Sequence, residues 1–600
     1  MGILSRGLLV VSMVAGCGPA PPAATAPADS PPPSVAGEPE APSVPMNALA
    51  ARYAAGDAEA VGPLARAIAG YSVEGEPGPG DDAFVEAMTL LRDLGEQGKL
   101  REPPLLDALA DVFVAFRAST AKAQHRGAFR VLNGVLVAVN APRWEAMMIE
   151  RLERPIRSAK RTALRDLIDE VYWQVTAAEV LGHLRSEKAI RPLIGVVLSP
   201  FKANVATTAV NALIEIGDPA VDAAKGLLDG SDRALTDYAR AEALRSAADA
   251  DEDVTREEVK RAAERAGQYR GVIVVGNVGT AKAREVLLDA LDDGDLTAQQ
   301  LIAADLYKVP VDEQVVKHFE AIYLRTRVDD ELPPDDYAKE TLINAAGSFF
   351  DEKLNGRIFA DGLTLKGDPG SVQAVQATIL SLAIKAATKA QWGYVEDLGR
   401  KALPPIPPSN TKYFVRAREG AEERGPLGER QVVNEILALT LDGGQVRRDE
   451  AGSAWRPMED EKNLALALGE AAYVRAMKNG KEVLDRCGDD AECFLKVVTD
   501  PAANTRETAT QAEKAAYMAA LLGGPDVTMK LVDLLPRIPN PGAQEIVLYS
   551  LLRRSPRGDE AGAAKLQSLV DAAYASGRAA AREEVTPYRQ VIERLRTRAR

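Results

Sequence analysis

From about Met46 onward, apolar residues recur at intervals of three and four, and short clusters of Gly, Asp, Pro or Ser interrupt them every dozen or so positions. No alternating strand pattern persists, so the expected fold class is all-α. The pattern is clearest over 176–198, where Ala177, Leu181 and Leu184 form one stripe and Ile190, Leu193, Ile194 and Val197 another, on two helices that meet at a turn around Arg185-Ser186. Residues 206–228 repeat the design, with Ala209, Leu213 and Ile216, a turn at Gly217-Asp218-Pro219, then Ala220, Ala224 and Leu228. A third copy at 274–291 aligns without gaps on 180–197, matching Gly182 with Gly276, Lys188 with Lys282, Ala189 with Ala283 and Leu193 with Leu287.

Leu181 and Leu213 are 32 residues apart, and the third copy is offset by 94, close to three such repeats. These residues resemble HEAT-like repeats of the shorter variety, in which A-x-x-L-G-x-[LI]-x-x-x-x-A-[IV]-x-x-L runs through two antiparallel helices. Weaker copies are readable at 50–68, 368–384 and 514–535. The resemblance implies an α-solenoid, an ARM/HEAT-like superhelix of about 12 to 16 helix pairs that stack because no pair can bury its own stripe. A compact α-bundle is also compatible with amphipathic helices joined by short turns. Lys401 to Pro408, KALPPIPP, cannot continue a helix. It divides an N-terminal arm, 46–402, from a helical C-terminal arm, 413–600, across a Pro-rich break at 403–412.

The start of the chain has a different pattern. One positive charge, at Arg6, precedes the apolar run Gly7–Val14, too short to span a bilayer. Val14-Ala15-Gly16-Cys17 follows, and it resembles the bacterial lipobox. That resemblance implies a signal peptide over 1–16, cleavage before Cys17, and acyl chains on Cys17 that anchor the protein. Gly18 stands where an Asp would suggest inner-membrane retention, so the resemblance to Gram-negative lipoproteins points to the outer membrane and implies a periplasmic body. Residues 17–45 hold ten prolines and little that could join a core. They read as an extended tether of roughly 85 Å at about 3.1 Å per residue.

Composition narrows the chemistry. The 600 residues are 46% hydrophobic and 27% charged, with a net charge of −14, so a phosphate-backbone grip is not expected and neither is a nucleic-acid partner. Three His and three Cys leave little for metal or imidazole chemistry. His125, His183 and His318 are scattered without ligand spacing. Residues 272–282, VIVVGNVGTAK, look like a strand and a phosphate loop but lack GxGxxG and GK[ST]. Their alignment on the repeat explains them, with Gly276 allowing close packing and Gly279 making a turn. Asp329, Asp330, Glu331, Asp335 and Asp336 fall in Pro-interrupted stretches and read as solvated. No cofactor or metal is expected.

In the exported setting that the lipobox implies, Cys487 and Cys493 flank a Gly-Asp-Asp turn and are expected to form a disulfide, with zinc the alternative. Arg151, Arg154, Arg157, Lys160, Arg161 and Arg165 recur at three and four, placing several on one helix face as a basic surface for an acidic partner or anionic lipid. The arginines from Arg589 to Arg600 read as complements to the C-terminal end of a last helix. Stacking should line the inner side of a superhelix with the second helices of the repeats, and partner recognition should then use Lys188, Arg191, Asp222, Lys225, Lys282 and Arg284. The expected function is a non-catalytic, envelope-anchored scaffold that binds protein. An enzyme with its site in 415–460, or a purely structural envelope spacer, stand as alternatives.

Overall fold

In the computed structural model the described residues are 44–156, 162–250, 252–294, 296–325, 331–332, 337–402, 458–505, 508–575 and 586–600. Residues 1–16, expected to form a signal peptide, Cys17, almost all of the expected tether, Arg157, Lys160, Arg161, the Pro-rich break and most of 415–460 lie outside them. The protein is all-α. The only extended pairing among the described residues is a two-residue parallel bridge, Glu331–Leu332 with Lys366–Gly367. No single described helix is long and apolar enough to cross a membrane.

The chain forms two compact units, divided at Gly271/Val272 inside the helix Glu257–Val278. The helices on both sides of the Pro-rich break, Trp392–Ala402 and Met458–Cys487, belong to the second unit and pack on each other there.

The helix turns follow local chemistry. In the first clear repeat, Leu164–His183 ends at a turn where Arg185 takes φ +51° and the Ser186 hydroxyl accepts from the Ala189 amide at 3.2 Å. In the copy 94 residues on, Gly279 takes φ +67° and the Thr280 hydroxyl accepts from Ala283 at 3.2 Å. The left-handed residue and the cap therefore recur at matched positions, with Gly in one copy and a strained Arg in the other. A Cβ at Gly182 would lie 2.7 Å from the Ala212 Cα, and one at Gly276 would lie 2.9 Å from an Asp305 carboxylate oxygen. Gly182 permits close approach of the next helix and Gly276 that of the turn at Asp305. Gly217, at φ +83°, starts Asp218–Leu228 with Pro219 in its first turn. Leu181, Leu193, Leu213, Leu227 and Leu287 are all buried. The copy at 514–535 is likewise two helices, Ala509–Leu522 and Pro525–Leu534, whereas 368–384 is not a pair but lies in the single helix Pro369–Ala386.

In the first unit, Met46–Ala54, Pro79–Glu96, Ala128–Val139, Leu164–His183 and Ala203–Ile216 pack each on the next, while Val61–Ala69 packs on Pro103–Ala115 and Glu145–Glu153 on Ile190–Leu198. Phe84, Phe113, Phe116 and Tyr172 form its aromatic centre. In the second unit a comparable row runs through Leu296–Ala303, Tyr337–Ala346, Pro369–Ala386, Ala509–Leu522, Pro541–Arg554 and Thr586–Ala599.

That row returns to its own beginning. Arg594, only 2% exposed, donates from Nε to the Asn277 carbonyl at 2.9 Å and also bonds the Asn277 side chain. Arg598 donates to the carbonyls of Gly279 (2.7 Å), Leu552 (3.0 Å) and Lys308. Tyr307 meets Tyr549 edge to face, and Arg553 reaches the carbonyls of Val311 (2.7 Å) and Phe349 (3.0 Å). The expectation for the C-terminal arginines is corrected here. Arg594 is buried in bonds to the end of another helix, and Arg598, in the last turn of its own helix, is partly buried and also bonds the ends of other helices.

Short helices leave four carbonyls each without an intrahelical partner, and burying those ends demands donors. Long polar side chains supply them. The Lys202 ammonium reaches the Leu152 carbonyl at 2.5 Å, Lys339 the Tyr323 carbonyl at 3.0 Å, Lys514 that of Ala387, and the Trp173 indole N–H that of Phe113 at 3.0 Å. Desolvation drives the Lys514 ammonium well below its usual range.

Lys202 gives this arrangement a pH signature. Burial pushes its ammonium from 10.5 down to about 8, only partly offset by Glu242. Below pH 8 both folded and unfolded chains carry the charge and the folded state bears the full desolvation cost. Between about 8 and 10.5 the unfolded chain holds the proton that the folded chain has released, so stability rises with pH across that window. Urea unfolding of the wild type against Lys202→Met should show the wild type gaining about 2–3 kcal/mol on the variant from pH 7.5 to 10.5. A pH-independent difference would refute the assignment.

Candidate functional site

Three of the six residues expected to contact a partner converge in the first unit. Arg191 on Ile190–Leu198 and Asp222 and Lys225 on Asp218–Leu228 line a hollow of about 570 Å³. Asp229, Asp232 and Arg233 complete its charged wall from the turn after the second helix and the start of Arg233–Asp249. Three cations thus face three carboxylates.

Asp232 organises this wall. Its Oδ1 accepts from the Leu235 amide at 3.1 Å, capping the next helix, and its carboxylate receives the Arg191 guanidinium through two bonds, at 2.6 and 3.3 Å. The Arg191 hydrogen bond lowers the Asp232 pKa from the ordinary carboxylate value. At Asp229 the Ser231 hydroxyl and amide bonds lower the carboxyl, with a smaller contribution from the Lys225 charge. Gly226 lets the turn close, because a Cβ there would stand 2.8 Å from that of Asp232, whose amide donates to the Gly226 carbonyl at 2.9 Å. Asp222 also has a partner within the fold.

The hollow is open and its charged groups are mostly exposed. Ser231 is the one hydroxyl lining it, and no histidine does. The arrangement therefore offers alternating donors and acceptors to a polar surface. Asp229, Ser231, Asp232 and Arg233 were not among the expected residues, although an Asp immediately before a periodic helix is a readable cap signal.

The other three expected residues lie elsewhere. Lys188 pairs with Glu145 at 2.7 Å, on the side of the preceding helices. Lys282 and Arg284 are in the second unit. Arg284 pairs with Asp312 at 2.5 Å and with Gln314 at 2.9 Å, and Lys282 also has a partner within the fold.

The basic stripe differs from expectation. Glu145–Glu153 ends before Arg154, which takes the extended conformation, and the next described helix is Leu164–His183. Arg151, Arg154 and Arg165 therefore do not share a continuous helix face, and Arg157 and Arg161 lie outside the described residues. Arg154 pairs with Glu170 at 2.5 Å. Together with Arg117 and Arg151 it packs around the buried Trp173 ring, the three guanidinium carbons lying 5.2, 4.6 and 4.9 Å from its centre. Desolvation, with a further contribution from the Arg154 charge, lowers the Arg151 pKa.

Cys487 and Cys493 stand with their sulfurs at bonding distance and their Cα atoms 5.4 Å apart. Gly488, at φ +58°, makes the corner between Met458–Cys487 and Ala491–Val498, and the Asp490 carboxylate caps the second helix through the Glu492 amide at 2.9 Å. His125 bonds Asp82 at 2.9 Å, and His183 lies 3.2 Å from Glu215. Among the described residues no three His, Cys, Asp or Glu side chains group as a metal site.

The double role of Asp232 sets an order among its variants. Asp232→Ala should cost roughly 1–2 kcal/mol of unfolding free energy, because both cap and ion pair are lost. Asp232→Asn keeps a good cap, and Arg191→Gln keeps the cap intact, so each should cost only about 0.5 kcal/mol. Urea titrations that rank Arg191→Gln as the most costly would contradict this division of roles.

Compared with known protein families and with curated proteins, the chain matches none.

Proposed function

We propose that this chain is an exported, lipid-anchored, non-catalytic scaffold whose helical body is built as a HEAT-like α-solenoid and holds a protein partner at the charged hollow of the first unit. The single observation that carries the reading is the convergence of Arg191, Asp222 and Lys225, from two successive helix pairs, on one open hollow of about 570 Å³. The first unit's regular succession of packed helices supports the solenoid reading, as do the matched glycine, turn and cap positions of the repeats at 180–197 and 274–291. The polar character of the hollow fits recognition by exchanged ion pairs and hydrogen bonds, which set specificity and on-rate.

The anchor in this proposal is Cys17, followed by the proline-rich tether and placed in the outer membrane. Cys17→Ser should leave an unprocessed or soluble protein when membranes are fractionated. A Ser variant cut at the same N-terminus and still requiring detergent would exclude the lipid assignment.

For the binding surface, a photo-crosslinking residue at Ala223, between Asp222 and Ala224 on the lining helix, should yield a discrete protein adduct from the anchored form. Lys225→Glu with Arg233→Glu should reduce that adduct about tenfold while the helical circular-dichroism signal is unchanged. An adduct indifferent to both charge reversals, or equal yields from crosslinkers at Ala223 and at Lys188, would remove the hollow from the proposal.

A further inference from the structure

A second hollow, within the second unit, has different chemistry. It lies between Pro525–Leu534 and Pro541–Arg554 and the turn that follows the latter, and its volume is about 330 Å³. Pro525, Met529, Leu551 and Pro556 give it an apolar lining, and Arg554 and Arg557 stand at its polar side. Its one carboxylate, Asp559, is committed elsewhere, accepting from the Gly562 amide at 2.8 Å at the start of Glu560–Ala575.

The walls are fixed. Gly558 takes φ +82°, and a Cβ there would strike the Ala599 backbone, so the turn 555–559 lies hard against the last helix. The Asp559 amide donates to the Leu595 carbonyl at 3.2 Å, and Arg598 reaches the Leu552 carbonyl behind the turn at 3.0 Å. Arg554 donates to the Ala520 carbonyl at 3.2 Å, Arg557 is exposed, and among the described residues neither arginine forms an ion pair. The first hollow balances its cations with carboxylates. This one sets two cations against a single carboxylate beside an apolar floor.

We propose that this hollow binds a free medium-chain alkyl carboxylate, with the tail along Pro525, Met529 and Leu551 and the carboxylate at Arg554 and Arg557. Guanidinium groups are the matched donors for a carboxylate, and an apolar lining with a few placed polar groups is the usual composition of a small-molecule site. The volume suits a chain of about eight carbons at the lower end of such sites. A peptide terminus fits the floor less well. Beside Pro525 and Met529 the one hydroxyl, Thr528, is 1% exposed and turned to the Gly524 carbonyl at 3.4 Å, and the other lining hydroxyl, Ser555, belongs to the turn that carries the arginines. The proposal does not depend on the scaffold reading.

Isothermal titration of the full chain with octanoate, acetate and octan-1-ol tests it. Octanoate should bind with a submillimolar Kd, and acetate and octan-1-ol about tenfold or more weakly, because one lacks the tail and the other the charge. Arg557→Gln, which removes no bond within the fold, and Met529→Glu, which places a negative charge over the floor, should each weaken octanoate about tenfold with an unchanged melting temperature. Absence of octanoate binding at millimolar concentration, equal binding of octan-1-ol, or indifference to Arg557→Gln would overturn the assignment. An N-acetylated tripeptide ending in leucine that binds more tightly than octanoate would overturn it in favour of a peptide terminus.

Discussion

The carbonyls at the buried C-terminal ends of short helices are the constraint on which this architecture depends. A chain of helices mostly 8 to 22 residues long, joined by tight turns, produces many such ends, and an unpaired carbonyl away from water costs as much as a lost hydrogen bond. The molecule meets this with donors projecting from other helices. Lys202, Lys339, Lys514, Arg554, Arg594, Trp173 and Gln268 each reach a carbonyl in the last turn or at the cap of a helix other than their own. Such a bond joins two helices at a specific register, which apolar stripes alone do not do.

This use of cations explains an otherwise odd core. Lys339 and Lys514 are fully buried and Arg594 nearly so, a state that charged groups rarely adopt without compensation. Aromatic rings supply part of it. The Lys339 ammonium lies 3.9 Å from the centre of the Tyr323 ring and 3.4 Å from Asp361, and Lys514 lies 5.3 Å from that of Trp392. Arginine suits a position where one planar group serves the Asn277 carbonyl and side chain together.

The helical class and many turn positions were legible because they rest on local rules. Period-3.6 stripes marked Leu181, Leu193, Leu213 and Leu287 as core, and Gly217-Asp218-Pro219 marked a turn. The close Cys pair was readable for the same reason, only a Gly-Asp-Asp corner and two flanking residues separating its members. Charged residues were harder. Arg154 and Arg594 both look like surface cations, and nothing in their immediate neighbours reveals the Trp173 ring or the Asn277 carbonyl that holds each. Spacing also suggested a helix through Arg151 and Arg165, but Pro155 disfavours helical geometry at Arg154, and the helix stops there. Of the candidate site, the helix-borne Arg191, Asp222 and Lys225 were recoverable from repeat logic. Asp229 and Asp232 belong to a turn whose path depends on Gly226 accommodating Asp232.

The bonds from Arg594 and Arg598 to Asn277 and Gly279 span 317 and 319 residues. Repeats that touch only their neighbours can be completed one at a time, each stabilised as soon as it stacks. The second unit cannot finish in that way, because its first helix ends keep open carbonyls until Thr586–Ala599 docks. The unit therefore depends on contacts of high sequence separation, which are costly to close. A molecule truncated before Thr586 would retain every earlier stripe yet lack the groups that close the unit.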